Sequence, residues 1–351
     1  MSKNILMRKI FVFLLFFNCF NATAQITTTY QINGISTAVP FLRITPDARA
    51  GGMGETGIAT TPDIHSIFWN TAKLAFINNK FGISTTYTPW LREIVDDIYL
   101  LDVSSFYKID STNALTASIR YFSLGSLIFN NPAPDIGNYN PRELTAHIGY
   151  ARKISAHFST GINLGYVYSN LISGQSFNGV PIRPGEALAI DLSGYYVHPI
   201  KINSVFKRYD LGLSLSNFGT KIAYTYSAEQ KDFLPTNLGI GSAFHFQPGR
   251  KHQLSFALDL NKLIVPLPAW DDAGKYPRLS TGVEYIYNSL FFLRGGYFYQ
   301  KPTDGGSDYF TVGTGIKYKA LKFDFSYLIS DKKYKTVLDN TYRLGLSFLF
   351  K

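Results

Sequence analysis

The last ten residues of the chain alternate strictly between two kinds of side chain. Residues of a strand point to opposite faces in turn, so this stretch has one aromatic and aliphatic face and one small or polar face. The first face comprises Tyr342, Leu344, Leu346, Phe348 and Phe350, and the second comprises Arg343, Gly345 and Ser347. An aromatic-rich amphipathic strand at the C-terminus is typical of a bacterial outer-membrane β-barrel, in which one face contacts lipid and the other lines the lumen.

The same alternation recurs along most of the chain, in fourteen segments of the length that a tilted strand needs to cross a bilayer. The predicted strands are 81–90, 97–108, 113–124, 142–152, 156–170, 186–198, 208–219, 236–246, 251–261, 278–287, 290–300, 309–319, 321–330 and 341–350. Their connections mostly switch between long and short, with one exception at 199–207. This rhythm predicts an all-β fold, a transmembrane up-and-down antiparallel β-barrel of about 14 strands, with short periplasmic turns and long outer loops.

The N-terminus has the form of a cleaved secretory leader. Basic residues precede the apolar run 10–17, and Ala22-Thr-Ala24 matches a small-residue cleavage site. The apolar run is shorter than a membrane helix requires. Residues 1–24 are therefore a predicted signal peptide. Cys19, the only cysteine, lies within it, so the mature chain has no thiol with which to form a disulfide or a thiolate metal site.

Residues 25–80 do not follow the strand rhythm. About eight strands enclose a space that side chains alone fill, whereas sixteen leave an aqueous channel, so a barrel of about fourteen has room for an inserted segment. We therefore predict a leader over 1–24, an N-terminal plug or hatch segment in the lumen over 25–80, and an outer-membrane barrel over 81–351. An even strand count predicts that both termini are periplasmic.

Composition and motifs argue against several other functions. The net charge of +10 falls to +7 once the three basic residues of the leader are removed. The remaining Lys and Arg are dispersed along the chain, so contact with anionic lipid headgroups is enough to explain the positive charge, and no nucleic-acid partner is predicted. The run Gly52-x-Gly54-x-x-Gly57 matches the dinucleotide fingerprint but lacks its strand–helix context. We expect these glycines to permit tight turns or close backbone packing. The six histidines show no metal-ligand spacing, and no Ser/His pair stands out. No catalytic residue and no cofactor is predicted.

Two further features concern the lumen and the outer surface. Charged residues recur on the inward faces of the predicted strands, and we interpret them as paired networks that hold the plug, because a lone charge shielded from water is costly. They are Arg120, Asp191, Asp259, Glu284, Arg294, Lys322, Asp324 and Arg343. The loop 262–277 is apolar and rich in proline, so it either contacts a partner or folds over the barrel mouth. Its candidate contact residues are Pro266, Pro268, Trp270, Asp271 and Tyr276.

Residues 41–76 resemble the N-terminal signature of the PorV family, the outer-membrane barrels of the type IX secretion system. The resemblance is carried by the stretches 41–55, 58–63 and 68–76. Its motif residues are Arg49, Gly51, Gly52, Gly54, Glu55, Asp63, Trp69 and Asn70. The usual Trp-Asn-Pro-Ala appears here with Thr71 in place of the proline. The family is similar in turn to the FadL fatty-acid transporters, which share fourteen strands and a lumenal N-terminal plug.

The resemblance implies a non-enzymatic adaptor. Such a protein receives secreted cargo with a C-terminal signal domain at the large type IX translocon barrel and passes it to the surface attachment and peptidase complex. Besides these partners, it contacts outer-membrane lipid. A paralogue such as PorQ, or a PorV-like protein outside secretion, fits the signature as well. The alternative is a FadL-like outer-membrane channel for hydrophobic small molecules, which needs an apolar pocket behind the plug and an exit through a kinked strand. A general porin would need an open lumen.

Overall fold

The computed structural model describes residues 37–126, 139–172, 174, 176–177, 179–200, 205–226, 231–265, 277–301, 308–330 and 338–351. Within them, fourteen antiparallel strands close into a barrel, and two short strands, β6 and β7, form a separate hairpin. The strands are β1 Phe81–Pro89, β2 Ile98–Lys108, β3 Asn113–Leu124, β4 Arg142–Lys153, β5 Phe158–Asn170, β6 Ser176–Phe177, β7 Val180–Pro181, β8 Gly185–Pro199, β9 Phe206–Gly219, β10 Asn237–Gly249, β11 His252–Leu263, β12 Pro277–Tyr287, β13 Phe291–Gln300, β14 Asp308–Tyr318, β15 Leu321–Ser330 and β16 Tyr342–Phe350.

The C-terminal strand closes the barrel. β16 pairs with β1, with Phe350 opposite Phe81 and Leu346 opposite Thr85. Each barrel strand therefore has two hydrogen-bonded neighbours, as a sheet surrounded by lipid requires. The predicted fold class is confirmed, and the strand ends differ from the predicted ones by three residues at most. The β6–β7 hairpin was not predicted.

The two faces of the strands differ as the alternation predicts. In β16, Phe348 is 42% exposed on the outer face, whereas Arg343 is 1% exposed on the inner face. In β11, Leu258 is likewise exposed and Asp259 is buried. The outer face is thus apolar, and the inner face carries the polar and charged side chains.

The connections fall into two groups at opposite ends of the barrel. The short ones are 109–112, 154–157, 200–205, 250–251, 288–290 and 319–320, and the long ones are 90–97, 125–141, 171–184, 220–236, 264–276, 301–307 and 331–341. We call these ends the short-turn end and the long-connection end. The C-terminal residue of β16 lies at the short-turn end, because β16 follows the long connection 331–341.

Residues 37–80, here called the N-terminal segment, lie inside the barrel. The segment contains a 3-10 turn at Pro40–Arg43, helix α1 at Ala48–Gly51, helix α2 at Ser66–Trp69 and a second 3-10 turn at Thr71–Phe76. It packs against the inward faces of β3, β4, β5, β8, β14, β15 and β16. Among the described residues, no helix has the length and apolar character needed to cross a membrane.

An apolar cluster lies where the N-terminal segment begins, at the long-connection end. We call it the mouth cluster; its central residues are Val39, Phe41, Leu42, Leu100, Phe122, Ile222 and Leu234, all buried. Ile222 and Leu234 belong to the connection 220–236, which therefore folds inward over the mouth. The backbone nitrogen of Ala38 donates to the Phe233 carbonyl at 3.1 Å. The first described residues of the chain thus lie at the end opposite to the C-terminus.

Candidate functional site

The N-terminal segment and the barrel wall that surrounds it form the candidate site. Helix α1 begins after Asp47, whose Oδ1 accepts the Ala50 backbone N–H at 2.7 Å, as an N-cap residue does. The other oxygen, Oδ2, accepts the indole N–H of Trp69 at 2.8 Å. One buried carboxylate therefore joins the start of α1 to the end of α2, which fixes the two short helices relative to each other.

The glycine run 51–57 brings the backbone of the segment against the wall. Gly54 has a φ of +65°, and a Cβ there would lie 2.4 Å from the Thr281 carbonyl oxygen. Its N–H donates to Thr311 Oγ1 at 2.7 Å. A Cβ on Gly52 would lie 2.9 Å from the Gly313 Cα. Only glycine permits both this conformation and this approach, which matches the packing interpretation of the run.

Arg49 connects α1 to the wall through a buried carboxylate. Its Nε and Nη2 donate to the two oxygens of Glu284 at 3.0 Å and 2.7 Å. The same carboxylate accepts from Arg294 Nε at 2.9 Å, and Arg294 continues to Asp324 at 2.8 Å. Such bidentate, charge-assisted bonds are directional as well as strong, so the network fixes the orientation of α1.

The third nitrogen of Arg49 binds within the segment itself. Its Nη1 lies 2.8 Å from Asp63 Oδ2. Burial opposes the ionisation of Asp63, but the charges of Lys73 and Arg49 outweigh it and lower the pKa of Asp63 to about 2. Asp63 is therefore a carboxylate at neutral pH, and Arg49 holds a negative group on each side, one on the segment and one on the wall.

Three further pairings join the segment to the wall. Arg343 Nη2 donates to Glu55 Oε1 at 3.0 Å. Asp259 Oδ2 accepts the backbone N–H groups of Gly57 and Ile58 at 2.7 Å and 2.9 Å. The Asn70 amide donates to the carbonyls of Ile58 and Gly194 at 3.0 Å and 2.9 Å. Of the inward charges named from the alternation, all but Asp191 contact the segment or each other in ion pairs and hydrogen bonds. Asp191 instead accepts from the Asn163 amide and the Asn217 backbone N–H, both on the wall.

His65 joins Ser84 and Asp102 in an arrangement that resembles a hydrolase triad. Its Nε2 lies 3.1 Å from Ser84 Oγ, and its Nδ1 lies 3.4 Å from Asp102 Oδ1. Burial disfavours the charged imidazole, but the contact with Asp102 and the other nearby carboxylates outweigh it and raise the pKa of His65 to about 9. The histidine therefore carries its proton at neutral pH, whereas a general base must be neutral.

The serine is also engaged elsewhere. Ser84 Oγ donates to the Leu346 carbonyl at 3.1 Å and accepts from Ser347 Oγ at 2.9 Å. Its proton therefore points to the wall and not to His65. The arrangement acts as a charged bridge between the segment and strands β1 and β2.

Two cavities lie on either side of the N-terminal segment. The first, of about 60 Å³, opens toward the long-connection end, and its lining includes Arg43, Arg120 and Arg278 together with several Asn and Ser side chains. The second, of about 200 Å³, lies toward the short-turn end beside Arg49 and Asp63. Most of the residues that line each cavity are polar or charged.

The eight motif residues of the N-terminal segment all lie in the lumen. Arg49, Gly52, Gly54, Glu55 and Asn70 contact the wall as described above. Gly51 also does so: a Cβ there would lie 2.8 Å from Arg343 Cδ. Asp63 and Trp69 pair within the segment. By contrast, the five candidate contact residues of the loop, Pro266, Pro268, Trp270, Asp271 and Tyr276, lie outside the described residues, so their role stays a prediction.

Several residues of the site were not predicted from the sequence. Arg278 has the inward parity of Ser280 in its strand, so the alternation could have revealed it. Asp102 has the inward parity of Ser104 in β2, so the same alternation could have revealed it. Asp47 and His65 gave no comparable signal, because each is defined by a partner on another element. Lys73 stands in an apolar stretch and is fully buried, with its Nζ 2.6 Å from the Gly57 carbonyl. Within the described part of the chain, no group of His, Cys, Asp and Glu has the geometry of a metal site.

Comparison with known families gives a match over most of the chain. The family model described as type IX secretion system protein PorV matches residues 27–270. The chain belongs to this family. The resemblance seen at residues 41–76 is thereby confirmed. The barrel fold and the PorV family together indicate an outer-membrane location. No curated protein matches the chain.

Solved structures with a similar barrel fold include two toluene transporters and a FadL homologue. The toluene transporter TbuX of Ralstonia pickettii is 14% identical, with a TM-score of 0.51 over 87% of this chain and 98% of that chain. The toluene transporter TodX of P. putida is 12% identical, with a TM-score of 0.52 over 86% and 97%. A FadL homologue of Pseudomonas aeruginosa is 12% identical, with a TM-score of 0.50 over 88% and 99%. At these identities the likeness shows the fold alone.

Proposed function

We propose that this protein is a non-enzymatic adaptor barrel of the type IX secretion system. It binds secreted cargo that carries a C-terminal signal domain at the large translocon barrel and passes it to the surface attachment complex. Membership of the PorV family supports the secretion context. The observation that carries the adaptor role is the N-terminal segment, which is bonded to the wall through buried ion pairs such as Arg49–Glu284 and Arg343–Glu55.

A lumen filled in this way favours binding at the surface over transport through the barrel. Opening a path past the segment would separate several buried charges from their partners, and each separation leaves an uncompensated charge. In this proposal residues 25–80 act as a plug, of which 25–36 lie outside the described residues. The long connections form the outer, cargo-facing surface, and the short turns and the C-terminus face the periplasm. The N-terminus, predicted to be periplasmic, precedes the described residues, so its side of the membrane stays a prediction.

The proposal predicts that the proline-rich connection carries a partner contact. We would replace residues 266–276 by a Gly/Ser linker of equal length, purify the tagged protein from native membranes in mild detergent, and identify its partners by mass spectrometry. Wild type should retain a very large barrel and secreted proteins that share a C-terminal domain. The linker variant should lose one or both.

The matched control is the same replacement at residues 302–307, a long connection on the same end whose sequence is already Gly-rich and polar. This variant should keep its partners. If wild type is recovered alone from cells that actively secrete such cargo, the adaptor function is wrong.

One observation favours the alternative, a channel for hydrophobic small molecules. The β8–β9 pairing shifts register between Ile190 and Leu192, beside the first cavity. The Asp191 carboxylate fills this break by accepting the Asn217 backbone N–H at 2.7 Å. A lateral exit would open here. The channel function therefore predicts that D191A increases uptake of a hydrophobic solute by cells, whereas the adaptor function predicts no change.

A further inference from the structure

The first cavity contains two arginines whose charges lack a carboxylate partner. Among the described residues, the Arg43 side chain has no hydrogen-bond or ion-pair partner, and its Nε is buried from solvent. Arg278 makes one hydrogen bond, from Nη2 to the Asn237 amide oxygen at 3.3 Å. Both residues line the same cavity of about 60 Å³. Arginine is costly to bury without an acceptor, so this pair requires an explanation.

The pKa of Arg43 also indicates that the two arginines lack a counter-charge. The charge of Arg278 is the largest influence on Arg43, and together with burial it lowers the pKa of Arg43 to about 9, although Glu55 opposes the change. Glu55 itself is bound by Arg343 at 3.0 Å. The positive charge of the two arginines is therefore left without a dedicated counter-charge in this part of the cavity.

The other groups that line the cavity do not neutralise the positive charge of Arg43 and Arg278. Arg120 brings a third positive charge, and it donates to the backbone carbonyls of Phe41 and Ile44 at 2.7 Å and 3.4 Å, not to an acid. The Asp191 carboxylate is engaged by Asn163 and by the Asn217 backbone. The remaining lining includes Ser and Asn side chains, which supply neutral donors.

We propose that Arg43 and Arg278 form a binding site for one small oxyanion, a phosphate or carboxylate group. Paired guanidinium groups present several N–H donors in a geometry that suits these anions. The cavity volume of about 60 Å³ gives room for a small anionic group. Because Arg43 belongs to the N-terminal segment and Arg278 to β12, the bound anion joins the segment to the wall. The inference is independent of the adaptor function.

The test uses the full purified protein in detergent micelles. We would measure its thermal unfolding midpoint during titration with sodium phosphate or sodium acetate, with sodium chloride at equal ionic strength as the reference. A ligand that binds only the folded state raises the midpoint as its concentration increases. We expect this rise with phosphate or acetate and not with chloride. An identical response to all three salts would overturn the site.

Variants separate an anion site from a structural role. R43Q and R278Q should each weaken oxyanion binding by about tenfold to a hundredfold, since a hydrogen bond to a charged group is lost. In chloride alone, R43Q should unfold at a midpoint no lower than wild type, because the repulsion between the arginines is relieved. A structural arginine would give the opposite result. R43K keeps the charge and serves as the conservative variant if R43Q does not fold.

The control is R152Q, which removes the same charge from an exposed position near the end of β4. It should keep the wild-type response to phosphate.

The source of the anion is distinguished by native mass spectrometry after mild extraction. A phospholipid retained by wild type and lost in R43Q identifies a lipid headgroup, and a phosphate response without retained lipid identifies the free ion. Persistence of the oxyanion response in both R43Q and R278Q would contradict the proposal.

Discussion

At the scale of single residues, His65 shows how a buried charge gives the protein a pH response. Its pKa of about 9 in the folded protein lies above the ordinary histidine value of about 6.5, so the folded state holds the proton more tightly than the unfolded chain. The resulting stabilisation is complete below about pH 6.5 and is lost as the pH rises through about 9.

This difference makes a prediction for H65Q. Relative to this variant, wild type should lose about 2 kcal/mol of unfolding free energy between pH 7 and pH 10. Urea unfolding in detergent at the two pH values measures the change. H157Q is the control, since the same substitution is made at an exposed histidine; it should follow the wild-type pH dependence. A neutral, catalytic His65 would instead give no loss over this range.

The alternation placed the charged residues correctly on the inner face but did not reveal their partners. The sequence shows that Glu284 and Arg343 point inward, because a strand has a period of two. Their pairing with Arg49 and Glu55 depends on the depth of the segment in the lumen, and the partners are more than two hundred residues apart. A local sequence pattern cannot predict which of two such distant residues will pair.

At the scale of elements, the strands could be predicted and the short helices could not. In a strand that separates lipid from lumen, apolar and polar side chains must alternate along the whole length. The ends of the alternation in the sequence therefore predict the ends of the strand. Helices α1 and α2 have one turn each, and such helices are unstable alone. Contacts with the wall and the Asp47 carboxylate stabilise them, and these contacts are tertiary.

The mouth cluster predicts that the connection 220–236 holds the start of the N-terminal segment in place. Ile222 is fully buried there, so I222A should cost about 2–5 kcal/mol of unfolding free energy. It should also speed the labelling of A38C by a membrane-impermeant maleimide, because Ala38 bonds to the same connection. The only native cysteine, Cys19, lies in the predicted leader.

I94A is the matched control for this experiment. Ile94 belongs to the long connection 90–97 and is 61% exposed, so its truncation should change stability by less than about 0.5 kcal/mol. It should also leave the labelling rate of A38C unchanged. If I222A labels A38C no faster than I94A does, the connection does not restrain the segment.

At the scale of the whole molecule, the connection lengths define the two ends of the barrel, and the N-terminal segment crosses between them. It begins in the mouth cluster at the long-connection end and reaches β1 at the short-turn end. Because the long connections of such barrels face outward, Thr37, the first described residue, should lie toward the cell surface, although the even strand count alone predicts two periplasmic ends.

Epitopes at three positions test this topology: immediately before Thr37, within 302–307, and after Lys351. In intact cells, antibody should bind the first two, and it should bind the third only after the outer membrane is permeabilised. The 302–307 epitope reports the orientation of the barrel independently of the segment. If that epitope is accessible and the one before Thr37 is not, the start of the N-terminal segment is not open to the cell surface. If only the C-terminal epitope is accessible, the orientation itself is inverted, and the long connections cannot be the surface that receives cargo.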